Sequence, residues 1–453
     1  MTLLLLVVAG LFTWLAATLP IHIDEALTHQ HFTSQGWRIA ISTYPFPNNH
    51  VLFSVLGAFA VMMPLEPLFA MRMISVIAAL VSLVLMYKLI RLKATPIVGF
   101  LGTLFWISTL TATYFGVHAR GYGLQIMLLL SGLYLVEFWD KKNDVKEPLR
   151  LISKRGIGLT LASALGFFTI PTFLFSFSSL LLLLMFYAWQ KGIWKQQLVQ
   201  VALIGAATAG LTIVLYSPLF YYTGIDALID NQWVRERSFA NVGMEGLRSF
   251  LFDISAFGGH VALILFLIMT AWSAVVRNWK GVLLVAAFFL VPMLGMAVMG
   301  SVPFPRTFAY LIAVAVVAVF ANLQHLTARG LTNLGHGIVV LAIVASGWLT
   351  YRGIAGTWHK DSAHAEEIQT ELKACCDGQV LHVNGWNECA HLIDYYTWRK
   401  GSGPTVKVLY QDNFWEEFRQ NEGILYLKTA KQPEPEMCNR LLEKGNVAVY
   451  ECN

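Results

Sequence analysis

Apolar positions come in long unbroken runs, and polar residues collect in the short stretches between them. The first run, Leu3 to Leu19, is long enough to cross a thin bilayer. The next apolar stretch, His50 to Met63, is about 14 residues long and bounded by PNN and PLEP, a length more often re-entrant or interfacial than spanning. It is expected to re-enter or lie at the interface, on the same side as Asp24. Further runs follow at 71–90, 95–115, 122–139, 156–170, 172–190, 197–216, 257–276, 281–300, 307–322 and 337–351. This pattern predicts a polytopic α-helical membrane protein of about eleven spans; an outer-membrane barrel would show short alternating segments instead.

After about residue 352 the pattern changes. GQVLHVNG, TVKVLY, GILYLK and NVAVYEC are short and rich in β-branched residues. NECAHLIDYYTWRK and NFWEEFRQ between them read as helices. Strands alternating with helices predict a small C-terminal α/β domain over 353–453, with the membrane domain over 1–352 and its first outer loop at 20–70.

Charge placement orients the spans. Lys88, Arg91 and Lys93, the loop DKKNDVKEPLRLISKR, the KGIWKQQ turn and the VRNWK turn are basic, and therefore cytoplasmic. Counting spans from them puts the N-terminus inside. It puts the Asp24-Glu25 pair, the HARGYG turn, the loop at 217–255, the PFPRT turn and the whole tail outside. No Lys or Arg precedes the first run, so it is expected to be a retained span rather than a cleaved signal. The chain is 56% hydrophobic and 13% charged, about half the charged share of a soluble protein. Its net charge of +5 says little about nucleic acid, and no nucleic-acid partner is expected. All five cysteines, Cys375, Cys376, Cys389, Cys438 and Cys452, lie in the tail, which predicts at least one disulfide in an oxidising compartment.

The polar residues at the outer face are the candidates for chemistry: Asp24, Glu25, His50, His118, Arg120, Tyr122, Arg235, Arg237, His260 and Arg306. Two adjacent carboxylates beside hydrocarbon are costly and mark a functional site. The structural alternative is a helix N-terminus with acids in its first turn. Carboxylates and arginines on one face suit group transfer from a lipid-linked phosphate. A carboxylate serves as general base on an acceptor hydroxyl or amine, and arginines grip the phosphate of the leaving group.

Four stretches carry a family resemblance. Asp24-Glu25 with the following PNNHVLFSVL resembles the first outer loop of GT-C-fold glycosyltransferases. MRMISVIAALVSLVLMYKLIRL resembles their next span, YFGVHARGYGLQIMLLLSGLYL their second outer motif, and PFPRTFAYLI their late Pro-Arg motif. The relatives are the protein O-mannosyltransferases and the lipid A aminoarabinose transferase. The resemblance implies inverting transfer of a monosaccharide, hexosyl or pentosyl, from a polyprenyl-phosphate donor to an extracytoplasmic lipid, glycan or protein. It implies Asp24, with Glu25, as the base or as the group that orients the acceptor. Arg120, Arg306 and Arg235 or Arg237 would hold the donor phosphate, with His118 and Tyr122 beside them. His50 would contact the donor or cap the following helix. Many relatives have an acid shortly after the second-loop arginine. Here Gly121-Tyr122-Gly123 follow, so no catalytic metal is expected. The implied partners are the lipid-linked donor, membrane lipids and an acceptor that the sequence leaves open; the implied location is a bacterial inner membrane. The alternative is a transporter or flippase of a lipid-linked substrate, which would place polar groups at the bilayer midplane.

Overall fold

The computed structural model describes residues 1–45, 47–142, 147–229, 267, 270–271, 279–299, 303–322, 332–357, 361–377, 379–384, 388–409, 424–429, 438–444 and 447–452. The chain divides into two compact units. One holds residues 1–17 and 32–354; the other holds 18–31 and 355–453.

The first unit is helical. Its elements are α1 (Thr2–Thr18), α3 (Trp37–Ser42), α4 (Val51–Ala60), α5 (Pro67–Arg91), α6 (Pro96–Ser108), α7 (Leu110–Val117) and α8 (Tyr122–Lys142). Then come α9 (Lys154–Thr169), α10 (Phe173–Gln190), α11 (Trp194–Tyr222), α12 (Asp226–Ile229), α13 (Trp279–Met299), a 3-10 turn (Pro305–Phe308), α14 (Tyr310–Asn322) and α15 (Thr332–Thr357). Among the described residues, α5, α8, α10 and α11 are long and apolar enough to cross a membrane, and bent pairs bring the total to six at most. The eleven spans expected from hydropathy are therefore not all represented. The 257–276 run lies almost wholly outside the described residues, and α13, α14 and α15 contribute shorter apolar stretches.

Local chemistry explains where the helices start and bend. Glu66 caps α5 by accepting from Phe69 N at 2.7 Å, and Pro67 takes the first helical position, where no N–H is needed. The 95–115 run, continuous in hydropathy, is two helices bent by 66°. Thr109 makes the bend: it is extended, donates to Trp106 O at 2.7 Å and accepts from Ala112 N at 3.2 Å. The 50–63 stretch is the ten-residue helix α4, too short to span, as its hydropathy suggests.

Lipid gives helices little hydrophobic reason to associate, so close packing and buried polar contacts hold them together. A Cβ on Gly123 would lie 2.6 Å from Phe115 O, so only glycine lets α8 approach α7 this closely. Arg72, 1% exposed, donates to Ala16 O at 3.1 Å and so satisfies a carbonyl in the last turn of α1. At the basic end, Lys93 meets Glu137 at 2.8 Å and Tyr187 Oη donates to the same carboxylate at 2.8 Å. Lys191 pairs with Asp140 at 3.2 Å. Several charges that orient the chain thus also tie α8 to its neighbours.

The second unit contains α2 (Ile23–Thr28), most of a π turn (His29–Thr33), α16 (Asp361–Cys376), α17 (Glu388–Lys400) and five strands. These are β1 (Val380–Asn384), β2 (Thr405–Leu409), β3 (Ile424–Thr429), β4 (Cys438–Lys444) and β5 (Val447–Cys452), in sheet order β2-β1-β3-β5-β4. β1 runs parallel to β2 and β3, and β5 antiparallel to β3 and β4. The four β-rich stretches read from sequence are strands; β4 is a fifth, because CNRLLEK lacks their β-branched run. NFWEEFRQ lies outside the described residues. Cys389 is buried and outside any disulfide.

Candidate functional site

In the first unit the site is built around the turn from α7 to α8. Ser75 Oγ donates to His118 O at 2.7 Å, and Arg120 N donates to the same carbonyl at 2.7 Å. This tight turn holds Arg120 where its side chain is 1% exposed. Arg120 Nη1 donates to Asn48 Oδ1, Nη2 lies 3.5 Å from His50 Nε2, and the guanidinium sits 5.8 Å from the Tyr122 ring centre. Buried Tyr44 is within electrostatic reach of both Arg120 and Tyr122.

His50 occupies the N-cap position of α4 but makes no capping bond with its side chain. Its Nδ1 instead accepts from Gly121 N at 2.8 Å. A neutral ring in that state carries its proton on Nε2, the atom beside Arg120. A Cβ on Gly121 would come within 2.7 Å of His50 Cβ and 2.8 Å of Thr169 Cγ2, so this position must be glycine. The His118 ring lies 4.7 Å from Tyr114.

The late Pro-Arg motif meets the same turn. Gln125 Nε2 donates to Thr307 O at 3.0 Å, and Phe115, Tyr122, Ile170 and Ala309 form one buried cluster. Arg306, next to Thr307, is half-buried with its guanidinium 5.1 Å from the Phe304 ring. The HARGYG and PFPRT stretches are therefore packed on one another.

In the second unit Asp24 and Glu25 sit in the first turn of α2. His22 caps the helix: its Nδ1 accepts from Asp24 N at 3.2 Å, and its own N donates to Glu25 Oε2 at 3.0 Å. This reciprocal pair is a capping box with histidine in the usual place of serine or threonine. Glu25 is fully buried, while Asp24 is half-buried. The pair thus divides: Glu25 holds the start of the helix, and Asp24 is the more exposed of the two.

Arg235, Arg237 and His260 lie outside the described residues. Sequence reasoning missed Asn48, Tyr44 and Gln125. The PNN stretch was read as a boundary, and nothing local marks a residue as the partner of an arginine 72 positions away. Among the described residues, no three His, Cys, Asp or Glu side chains gather as a metal-ligand set.

No family model and no curated protein matches the chain. Solved structures do. ArnT from Cupriavidus metallidurans, in the apo state, superposes with a TM-score of 0.68 at 11% identity, over 99% of this chain and 97% of that one. The same enzyme bound to undecaprenyl phosphate gives 0.67 over the same shares. The oligosaccharyltransferase AglB from Archaeoglobus fulgidus, in complex with an inhibitory peptide and a dolichol-phosphate, gives 0.51 at 12% identity, over 87% of this chain and 63% of that one. The chain has the GT-C fold of these membrane glycosyltransferases.

Proposed function

We propose that the protein is an integral membrane glycosyltransferase that moves a monosaccharide from a polyprenyl-phosphate donor to an extracytoplasmic acceptor, with inversion at C1. The observation that carries this reading is the full-length likeness to ArnT, one of whose structures holds undecaprenyl phosphate. The buried guanidinium of Arg120, held beside a ring nitrogen of His50, supports it. Two N–H groups side by side suit an anionic oxygen.

In this reaction Asp24 takes the acceptor's proton or orients the acceptor. The acceptor oxygen or nitrogen bonds to C1 from the face opposite the phosphate. The C1–O bond to phosphate breaks and its electron pair leaves with the polyprenyl phosphate. Arg120 and Arg306 hold that phosphate as its charge develops. Arg235 or Arg237 shares this role, and His50, His118 and Tyr122 shape the surroundings of Arg120. No divalent metal takes part. The N-terminus is cytoplasmic and residues 353–453 extracytoplasmic, in a bacterial inner membrane. Four cysteines, Cys375, Cys376, Cys438 and Cys452, supply at least one disulfide there; Cys438 and Cys452 face each other in the β4–β5 register.

The experiment is transfer of radiolabelled sugar from a polyprenyl-phosphate donor by purified protein, with and without EDTA, followed by NMR of the product linkage. Transfer that survives EDTA, is lost in Asp24→Asn and gives the inverted anomer supports the reading. Movement of the donor across vesicles with no sugar transferred refutes it.

A further inference from the structure

The helix that carries Asp24 is anchored at both ends. The capping box fixes its start. Its far end runs into the π turn, a wide-turned geometry often found at functional sites. There Gln30 Nε2 donates to Asp394 Oδ2 at 2.7 Å and to His391 O at 3.3 Å, both on α17. The neighbouring His29, 2% exposed, packs edge-on against Tyr395 at 5.7 Å and Trp398 at 4.2 Å. Residues 391, 394, 395 and 398 recur at helical spacing, so one stripe of α17 receives His29 and Gln30 of the π turn.

Asp394 is itself held from behind. Its carboxylate also accepts from the backbone N–H of Val406 on β2, and Val406 pairs with Leu381 of β1. A continuous line of hydrogen bonds therefore runs from the sheet through Val406 and Asp394 to Gln30. From there the helical backbone leads to Asp24, whose carbonyl also accepts from Thr28 Oγ1 at 2.8 Å. Residues 18–31 pack in one compact unit with 355–453, as this line requires.

We propose that Asp394 is a positioning residue for Asp24: through Gln30 it fixes the orientation of α2, so the C-terminal domain sets the geometry of the acid at the reacting centre. The inference rests on the glycosyltransferase reading for its kinetic consequence, but not for its structural one. Such placement matters because small misalignments of a reacting group are expensive, about a hundredfold in rate for 1 Å.

The test uses the full-length protein and four variants. Asp394→Leu removes the acceptor. Gln30→Asp, alone and with Asp394→Gln, reverses donor and acceptor while conserving the summed side-chain length. Gln369→Leu breaks an unrelated hydrogen bond of the same unit, from Nε2 to Ser402 O at 2.7 Å. In Asp394→Leu, amide exchange over residues 23–31 should rise at least ~10-fold, since the local opening that α17 opposes becomes cheaper. The kcat should fall ~10-fold or more with the donor KM within ~2-fold, the mark of lost alignment rather than lost binding. The double variant should recover most of the kcat that Gln30→Asp loses. Gln369→Leu should lower the thermal midpoint and leave kcat within ~2-fold. Unchanged exchange in Asp394→Leu overturns the proposal, as does a Gln369→Leu loss in kcat equal to that of Asp394→Leu. The exchange measurement needs no turnover, so it decides on the anchor even if no sugar transfer is found.

Discussion

The side-chain amide of Gln125 donates to the carbonyl of Thr307, 182 residues further along the chain, at 3.0 Å. That one bond joins the start of α8, just after Arg120, to the turn that carries Arg306. Both ends are buried. Replacing Gln125 with leucine leaves the Thr307 carbonyl unsatisfied, at a cost of about 1–3 kcal/mol. A lower thermal midpoint in detergent and weaker donor binding are expected together. Unchanged values of both would remove the Gln125 contact from the account.

Arg120 offers two nitrogens in a fixed fork, one on Asn48 and the other beside His50. Lysine keeps the charge and loses the fork. In Arg120→Lys, donor affinity measured by a binding titration should fall roughly 10-fold or more, the loss of about one charge-assisted hydrogen bond. Native-like unfolding of the variant would show that the effect is local.

Gly121 is fixed by crowding rather than by backbone conformation. An added methyl would press on His50 Cβ at 2.7 Å and Thr169 Cγ2 at 2.8 Å. Gly121→Ala should cost about 1–3 kcal/mol as the turn shifts to make room. It should also displace His50, whose Nδ1 accepts from the amide of residue 121. Transfer activity should therefore drop more than stability alone explains, as read by activity per folded molecule.

The anchor of α2 should be sensitive to acid. Burial lowers the pKa of His29 from 6.5 to about 4. Burial, and then the neighbouring His31, lower that of His391 to about 4 as well. Both rings are neutral when folded, so the unfolded state binds more protons between about pH 6.5 and 4. Stability contributed here is complete above that window and is lost as pH falls through it. Asp394 works the other way: burial raises its pKa, opposed by the Val406 N–H, so its folded form favours the proton. Burial lowers the pKa of His31 as well, so three histidines stand against one carboxyl, and the protection of amides 23–31 relative to their intrinsic exchange should fall between about pH 6.5 and 4.5. In His29→Phe, which keeps the aromatic packing, that fall should be smaller.

Much of the membrane architecture could be read from hydropathy because spans must be long and apolar. The α/β character of the tail showed in its β-branched runs. The break at Thr109 did not, because the apolar run crosses it and only a threonine hydroxyl redirects the chain. Asp24 and Glu25 were conspicuous as neighbouring acids, yet their different burial depends on His22, an unusual cap. Asn48, Gln125 and Asp394 could not be found from sequence. Each is an ordinary polar residue whose partner lies 72, 182 or 364 positions away. Folding alone brings them together.

In the proposed reaction a sugar leaves a polyprenyl phosphate under the action of Asp24 and Arg120. The most direct measurement is mass spectrometry of free polyprenyl phosphate released by the reconstituted protein, given a polyprenyl-phosphate sugar and acceptor membranes. Wild type should release it in step with sugar transferred, and Asp24→Asn and Arg120→Met, folded and inserted, should release none above background. Equal release by wild type and both variants, or no release by any of them, would contradict the account.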